Sequence, residues 1–472
     1  MFSALALARS SALVLSHPLP VYLAGVLGQS TYPQHLAIGV TTAQNVANLL
    51  PVLQLGLGRY RAWSSPTALA QHWDAGLAEV LRGAGCSVST TIDVPDGPVT
   101  DVVRGLVASV TGEPRVCWLV GGGQKVHTLA MWQALERRWR DGCVEDVGVY
   151  ADPHRRLVVF RRGPDGEVEE EDRALDAPRL TLQMVFGCFR RALKDGRAPA
   201  VSDELRYDHY LRDGSLRAAC FERTNPSFVV EQRFATVAAL VNGLPDEGLR
   251  PPDAVVEDLA RQARHKWKAW SEGTDPYRTL ARRAMKEGMN PKNWATSLGW
   301  KPRDRFAGLF ERLVQARVEE RLRGVARVAE VRRNVVCSAP ESPGTTEAEH
   351  DVLVAFRDGT VLSLDAKTFE VTAKDLRARQ RALEAGAGSF ARFVPVLSLH
   401  ADDLEAPWLP RDAYGRAIKT AAELRTETVV VSPNPIGVDP DGKLVKLEPG
   451  ERVGSDWLRA ETLDRFLDRQ LR

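Results

Sequence analysis

Two aspartates and a lysine in the stretch EHDVLVAFRDGTVLSLDAKT, residues 349–368, have the types and spacing that metal-assisted hydrolysis needs. The segments DVLVAF and TVLSLDAKT alternate apolar and polar residues. Between them, Arg357-Asp358-Gly359 reads as a three-residue hairpin loop with glycine at the left-handed position. If Phe356 pairs with Thr360, counting back places Asp351 opposite Asp365, and the period of two puts Lys367 on the same face. Val352, Val354, Phe356, Leu362 and Leu364 then fill the other face as core. A two-residue loop would shift the register and turn Asp351 to the opposite face.

Directly opposed residues of an antiparallel pair have Cβ atoms about 5 Å apart. Two carboxylates that close repel unless a cation lies between them. Oxygen-only ligation suits Mg2+ or Mn2+, and such an ion lowers the pKa of a bound water and screens a phosphate under attack. Lys367 is placed to orient that water or neutralise the developing charge. The same alternation also describes a surface hairpin with a merely solvated polar face, and pattern alone leaves both open.

A second stretch with chemistry in it is RVCWLVGGGQKVHTLAMWQALERRW, residues 115–139, which reads as strand, glycine turn and helix. Gly121, Gly122 and Gly123 let the backbone approach a ligand, and the N–H groups opening the helix favour an anion such as phosphate. Gln124 and Lys125 add side-chain donors. The turn is neither a GxGxxG fingerprint nor a GxxxxGK[ST] loop. A glycine turn of this kind also serves plain tight packing, and both readings predict the same α/β fold.

The elements that must position these residues follow from the rest of the chain. At 472 residues it has room for more than one domain. A net charge of +2 means that any affinity for nucleic acid comes from a local patch rather than the overall field. Six cysteines without a CxxC pair argue against zinc and against a disulfide framework, so a reducing cytoplasm fits. The apolar opening, residues 1–27, is interrupted by Ser10, Ser11, His17, Pro18 and Pro20 and reads as an extension rather than a membrane span.

We therefore expect an α/β protein with an N-terminal extension (1–34), a Rossmann-like domain with a mainly parallel sheet (35–163), a mainly helical middle region (164–300) and a C-terminal α/β domain (301–472). In the first domain HLAIGV is a strand, TTAQN a polar loop and VANLLPVLQLGL a helix. SPTALAQHWDAGLAEVLRGAG reads as a further helix capped by Ser65 and ended by Gly85. The acidic PDGEVEEEDR, residues 164–173, reads as an exposed turn leaving the domain, and LQMVFGCFRRALKDG as a helical run. Trp267, Trp270, Trp294 and Trp300 lie among Arg and Lys, a composition that suits stacking on unpaired bases but equally a core or interface. Around the hairpin the order is helix (DRFAGLFERLVQARVEERLRG), strand (VARVAEVRRNVVC), hairpin, helix (VTAKDLRARQRALEAGAG), strand (FARFVPVLSLH).

On these residues, the segment from about 305 to 400 resembles a PD-(D/E)XK nuclease of restriction-endonuclease-like fold. Asp351 matches the hairpin aspartate and Asp365-Ala366-Lys367 the (D/E)-X-K triplet. The resemblance implies a helix glutamate in the metal site, for which Glu311 is the best match ahead of Glu319 and Glu320, and a polar residue on the following helix, Lys374 or Gln380. The segment from about 35 to 162 resembles a CARF domain, the CRISPR-associated Rossmann fold. TTAQNVANLLPVL is similar to its first binding loop and helix, and VGGGQKVHTLAMWQAL to its glycine signature, with Val120 and Gln124 where threonines are usual.

Together the two resemblances imply an ancillary effector of type III CRISPR antiviral defence, a metal-dependent endonuclease acting on DNA, RNA or both. They imply a cytoplasmic homodimer holding one cyclic oligoadenylate, cyclic tetra-adenylate, through Thr42, Gln44, Asn45, Gly121, Gly122, Gly123, Gln124 and Lys125. Asp351, Asp365, Lys367 and Glu311 would be catalytic, with Asp351, Asp365 and Glu311 holding Mg2+ or Mn2+. Two other functions suit the same residues: a restriction or repair nuclease free of oligoadenylate control, and a ligand-responsive nucleic-acid-binding module with an inactive nuclease fold.

Overall fold

The computed structural model describes residues 32–42, 45–93, 97–122, 125–152, 156–196, 206–222, 306–339, 348–368, 373–407 and 409–471. Residues 1–31 of the expected extension and the tryptophan-rich stretch 253–300 lie outside the described residues. The chain forms two compact units, Met1–Leu175 and Asp176–Arg472.

In the first unit the strands are β1 (Leu36–Thr41), β2 (Arg59–Ser64), β3 (Ser87–Val88), β4 (Ile92–Asp93), β5 (Val116–Leu119), β6 (Val147–Asp152), β7 (Arg156–Arg162) and β8 (Val168–Ala174). The helices are α1 (Asn45–Leu55), α2 (Pro66–Ala70), α3 (Trp73–Gly83), α4 (Val99–Ser109) and α5 (Lys125–Arg140). The sheet runs β3-β2-β1-β5-β6-β7-β8, with β4 also on β2. Strands β1 to β6 pair in parallel, whereas β7 and β8 add antiparallel. β5 is apolar throughout and β1 as far as Val40, and both are buried at every position, as strands covered on both faces must be.

Because β1 has β2 on one side and β5 on the other, the chain leaves β1 in one direction and β5 in the opposite one. That reversal opens a crevice at the carboxyl ends of the two strands.

Two local expectations for this unit need correcting. The helix expected to run on from Ser65 is broken: Ser65 Oγ does accept the Ala68 N–H at 3.2 Å, but His72 turns left-handed (φ 53°) and α3 starts afresh. The acidic stretch after Gly166 is a strand, β8, rather than a turn. Cross-strand pairs of Arg156 with Asp172 (2.9 Å) and Arg161 with Glu171 (2.7 Å) take the place of an apolar face.

The second unit contains α6 (Leu182–Gly187), β9 (Ala192–Asp195), α7 (Tyr207–Arg212), α8 (Gly214–Glu222), α9 (Phe306–Leu322), β10 (Val328–Ser338), β11 (Ala348–Phe356), β12 (Val361–Lys367), α10 (Ala373–Ala387), β13 (Ala391–Leu397), α11 (Arg411–Glu423), β14 (Thr428–Val430), β15 (Ile436–Val438), β16 (Leu444–Lys446), β17 (Leu458–Thr462) and α12 (Leu463–Leu471). Its sheet runs β16-β15-β17-β14-β13-β12-β11-β10-β9. β12, β13, β14 and β17 form a parallel centre, with antiparallel strands on either side. The order α9, β10, β11–β12, α10, β13 is the one read from the sequence. The ALKD segment, expected as part of a helical run, is instead the edge strand β9 on β10.

Phe310, Leu313, Val314 and Val318 of α9 pack on Val352, Val354, Leu362 and Leu364 of the hairpin, and Phe466 and Leu467 of α12 join the same core. Arg317 ties the two helices with a two-pronged bond to Asp464, 2.8 Å on each prong. α9 is therefore fixed in rotation, and that fixes where its polar positions fall.

Candidate active site

The hairpin has the register that the three-residue loop demands. Gly359 is left-handed (φ 88°), its N–H donates to Phe356 O at 2.9 Å, and Phe356 N–H donates to Thr360 O at 2.9 Å. Pairing runs from Ala355 with Val361 to Val352 with Leu364 and stops there. At the next level the Asp351 carboxylate turns toward β12 and accepts the Ala366 N–H at 2.7 Å. Asp351 is partly exposed, while Asp365 is 1 % exposed. The hairpin is thus buried on both faces and is no solvated surface ribbon: Leu353, Ala355 and Ser363 are closed off like Val352 and Leu362.

Lys367 Nζ lies 2.8 Å from Asp365 Oδ2 as an ion pair. Beyond Lys367 and the neighbouring Asp351 carboxyl, the Asp365 oxygens have no hydrogen-bond partner among the described residues. Burial, then the charges of Asp365 and Glu311, hold the Asp351 carboxyl well above the usual carboxylate range, and Lys367 opposes the shift. Glu311, on α9, is raised by burial and by Glu349, with Gln315 donating to it at 3.0 Å. The structure thus brings Asp351, Asp365, Lys367 and Glu311 into one electrostatic neighbourhood.

Among the described residues no three His, Cys, Asp or Glu side chains form a closed metal-ligand group. A hard divalent cation needs less: Mg2+ is commonly held by one or two carboxylates, with waters and substrate phosphates completing the shell. A buried carboxylate whose contacts are one lysine and a second carboxyl fits that donor set. The weaker candidates are engaged elsewhere. Glu319 pairs with Arg333 (3.5 Å) and Glu320 with Arg317 (2.9 Å). Gln380 bonds Glu384 and lines a cavity of about 130 Å³ with Arg392 and Glu427, beside the opening residues of β13, whereas Lys367 pairs with its last residue, Leu397. Lys374 is exposed near the start of α10.

Sequence reading missed three neighbours of the site. Gln315 and Asn334, 1 % and 3 % exposed, bond each other at 2.7 Å behind Asp351. His350 Nδ1 meets Ser363 Oγ at 3.0 Å, and burial pushes the imidazole down to about 4, so it is neutral at pH 7.

In the first unit, Thr42, Asn45, Gly121, Gly122 and Lys125 all follow β1 or β5 and share the crevice end of the sheet, while Gln44, Gly123 and Gln124 lie outside the described residues. Asn45 is wholly buried and committed to the fold: its Oδ1 accepts the Thr42 N–H (3.2 Å) and its Nδ2 donates to Trp73 O (3.1 Å). Gly122 is needed for packing, since a Cβ there would lie 3.0 Å from both Asn48 Oδ1 and Val40 O. Lys125 is exposed at the start of α5. Around them Thr41 Oγ1, Ser64 Oγ and Asn48 Oδ1 are buried with no hydrogen-bond partner. A polar residue ending an apolar parallel strand, as Thr41 does in β1, was the available signal for this end of the sheet.

No family profile matches the chain, and no curated protein matches it. Solved structures do. VC1899 from Vibrio cholerae aligns over 84 % of this chain and 94 % of its own, at 16 % identity and a TM-score of 0.50. The two share a fold. Can2 from Sulfobacillus thermosulfidooxidans, solved in complex with cyclic tetra-adenylate, aligns over 84 % and 93 % at 14 % identity and a TM-score of 0.47. Among the described residues no helix is long and apolar enough to cross a membrane.

Proposed function

We propose that the chain is a metal-dependent endonuclease of the PD-(D/E)XK kind, cleaving DNA, RNA or both. In this reading the CARF-like first unit binds a cyclic oligoadenylate that switches cleavage on, and the protein acts as a cytoplasmic homodimer in type III CRISPR defence. The observation that carries the nuclease reading is Asp365: a buried carboxylate met by Lys367 at 2.8 Å and by the Asp351 carboxyl on the paired strand, with no backbone donor aligned on it.

Asp351 and Asp365 would hold Mg2+ or Mn2+, with Glu311 reaching it through water, and the ion would supply an acidified water and screen the phosphate charge. Lys367, anchored on Asp365, orients the attacking water and neutralises charge on the phosphate as it develops. Neutral His350 braces Ser363 on β12 and adds no charge to the site.

In the first unit, the crevice between β1 and β5 offers unpaired neutral polar atoms and one exposed cation, a set suited to a ligand of bases, hydroxyls and phosphates. Thr42, Gly121 and Lys125, with Gln44, Gly123 and Gln124, would touch the ligand; Asn45 would hold the first loop in shape. A ring of repeated nucleotides suits the two-fold axis of a homodimer, and it activates only by binding the active arrangement more tightly.

The test is incubation with plasmid, single-stranded DNA and RNA in Mn2+, with and without cyclic tetra-adenylate, the ligand of the Can2 structure. Cleavage that requires both metal and ligand is expected. Cleavage indifferent to oligoadenylates of any ring size removes the control half of the proposal, and no cleavage of any substrate removes the nuclease half.

A further inference from the structure

We infer that Gln315, backed by Asn334, is the positioning residue that sets Glu311 and the Asp351 strand in place for the reaction. The inference rests on the nuclease reading of this site. Gln315 is 1 % exposed and lies one helical turn after Glu311 on α9. Its Nε2 has two hydrogens and faces three acceptors: Asn334 Oδ1 at 2.7 Å, Glu311 Oε1 at 3.0 Å and the Asp351 backbone O at 3.1 Å. One nitrogen therefore joins α9, β10 and β11 at the point where Asp351 leaves the ladder with β12.

The backbone behind it is bent to suit. Asn334 is left-handed (φ 49°) in the interior of β10. The pairs Arg333 with Val352 and Val335 with His350 bracket it, so the bend stands across from Asp351. Asparagine is among the few residues besides glycine that take this conformation readily, which suits it to the position. Here Asn334 O accepts the Gly196 N–H from β9's end while its side chain meets Gln315.

The link carries stability, since an apolar residue at 315 would leave Asn334 Oδ1 and the Asp351 carbonyl without this donor. What the amide adds is direction: a fixed oxygen for Glu311 and a fixed carbonyl level for Asp351. Partners of metal ligands act in this manner, by holding a carboxylate in one orientation so that the ion meets a formed site.

Two variants test this beside wild-type protein, with Mn2+ as the probe and saturating cyclic tetra-adenylate in every cleavage assay: Gln315→Met, which keeps the volume and removes both donors, and Asn334→Gly, which keeps the left-handed bend and removes Oδ1. The measurements are the cleavage rate at saturating nucleic acid against Mn2+ concentration, KM for nucleic acid, the Mn2+ spin-resonance signal without substrate, and the melting temperature. For Gln315→Met, kcat at saturating metal should fall about 10–100-fold and half-saturation move to higher Mn2+, with KM unchanged. Asn334→Gly should move the same quantities less.

A folded Gln315→Met enzyme with wild-type kcat and Mn2+ dependence overturns the inference. So does a loss of rate that follows the melting temperature alone, with the Mn2+ signal unaltered. If Gln315→Met does not fold, the same readouts on Asn334→Gly decide. If the wild-type protein neither cleaves nor binds Mn2+, the nuclease reading falls and this inference with it; if wild type cleaves and both variants match it, only the positioning role falls.

Discussion

Each unit buries an aspartate, and the two are treated in opposite ways. Asp146 in the first unit is 0 % exposed and fully engaged, accepting from Arg138 Nε (2.6 Å) and Nη2 (3.2 Å), Val116 N (2.9 Å) and Trp118 Nε1 (3.1 Å). Asp365 in the second is 1 % exposed, has no backbone donor aligned on it among the described residues, and stands beside one lysine and a second carboxyl that its own charge perturbs. Burying an ion is costly unless its lone pairs are filled. Asp146 is thereby a fastening between α5 and the strands β5 and β6. Asp365 has no such set of donors around it.

The largest effect expected from that contrast is on Asp365. Asp365→Ala should reduce cleavage by more than the roughly 10–100-fold typical of a residue one step removed from a metal. It should also leave the melting temperature unchanged or raised, because it removes a charge that repels Asp351 and Glu311. Binding of cyclic tetra-adenylate should persist. Undiminished cutting, or a large loss of stability, would make Asp365 a second Asp146 and dissolve the comparison.

Asp146→Ala should do the reverse. Removing one member of a buried, hydrogen-bonded pair strands the other, and the usual cost is about 3–5 kcal/mol. Here Arg138 is stranded together with the Val116 and Trp118 donors. Denaturant titration should show a transition lowered by that amount, with cleavage by the folded fraction unaltered.

How far the sequence carried this contrast depends on where periodicity holds. The hairpin was legible because alternation in DVLVAF and TVLSLDAKT and the Asp358-Gly359 turn agree on one register. The β1 and β5 strands were legible as unbroken apolar runs. β8 was not, since VEEEDRA has no apolar face and is held by ion pairs to β7 that no local pattern reports. The Gln315–Asn334 link was not either: a left-handed residue within VARVAEVRRNVVC is set by Gly196 and α9, both far off in sequence. Asp351's departure from the ladder has the same origin, so the expectation of two carboxylates squarely opposed was right in register and incomplete in geometry.

A third buried group extends the comparison to one that answers burial by giving up its charge. His400 is 1 % exposed, and burial, reinforced by Arg217, pushes its imidazole down to about 4 from 6.5. The unfolded chain takes up a proton as pH falls through about 6.5, whereas the native protein does not until about 4, so stability is lost across that window and then levels off. At about 1.4 kcal/mol per pH unit the loss reaches roughly 3 kcal/mol. Urea unfolding of wild type and His400→Leu at pH 7.5 and pH 5 should show the wild-type slope to be the steeper by about 2 kcal/mol over that interval, the part of the loss that falls above pH 5. Parallel slopes would mean His400 is protonated in the fold through Asp402 and Asp403 and belongs with Asp146 as a satisfied charge.

The smallest effect concerns Lys125, where the Asp365 logic recurs on the surface of the first unit. Lys125 opens α5, so its positive charge sits at the positive end of the helix dipole, an arrangement unfavourable by about 0.3–1 kcal/mol. Lys125→Ala should therefore make the ligand-free protein slightly more stable. The same substitution removes the cation offered to a phosphate at the crevice, and since the side chain is exposed, the loss in affinity for cyclic tetra-adenylate should be only several-fold and shrink with added salt. Calorimetric titration at two salt concentrations, with a melting curve of each protein, reads both signs at once. A variant that is both less stable and equally good at binding would show that Lys125 serves the helix, and would leave Asp365 as the one site of this pair where function is held at the expense of stability.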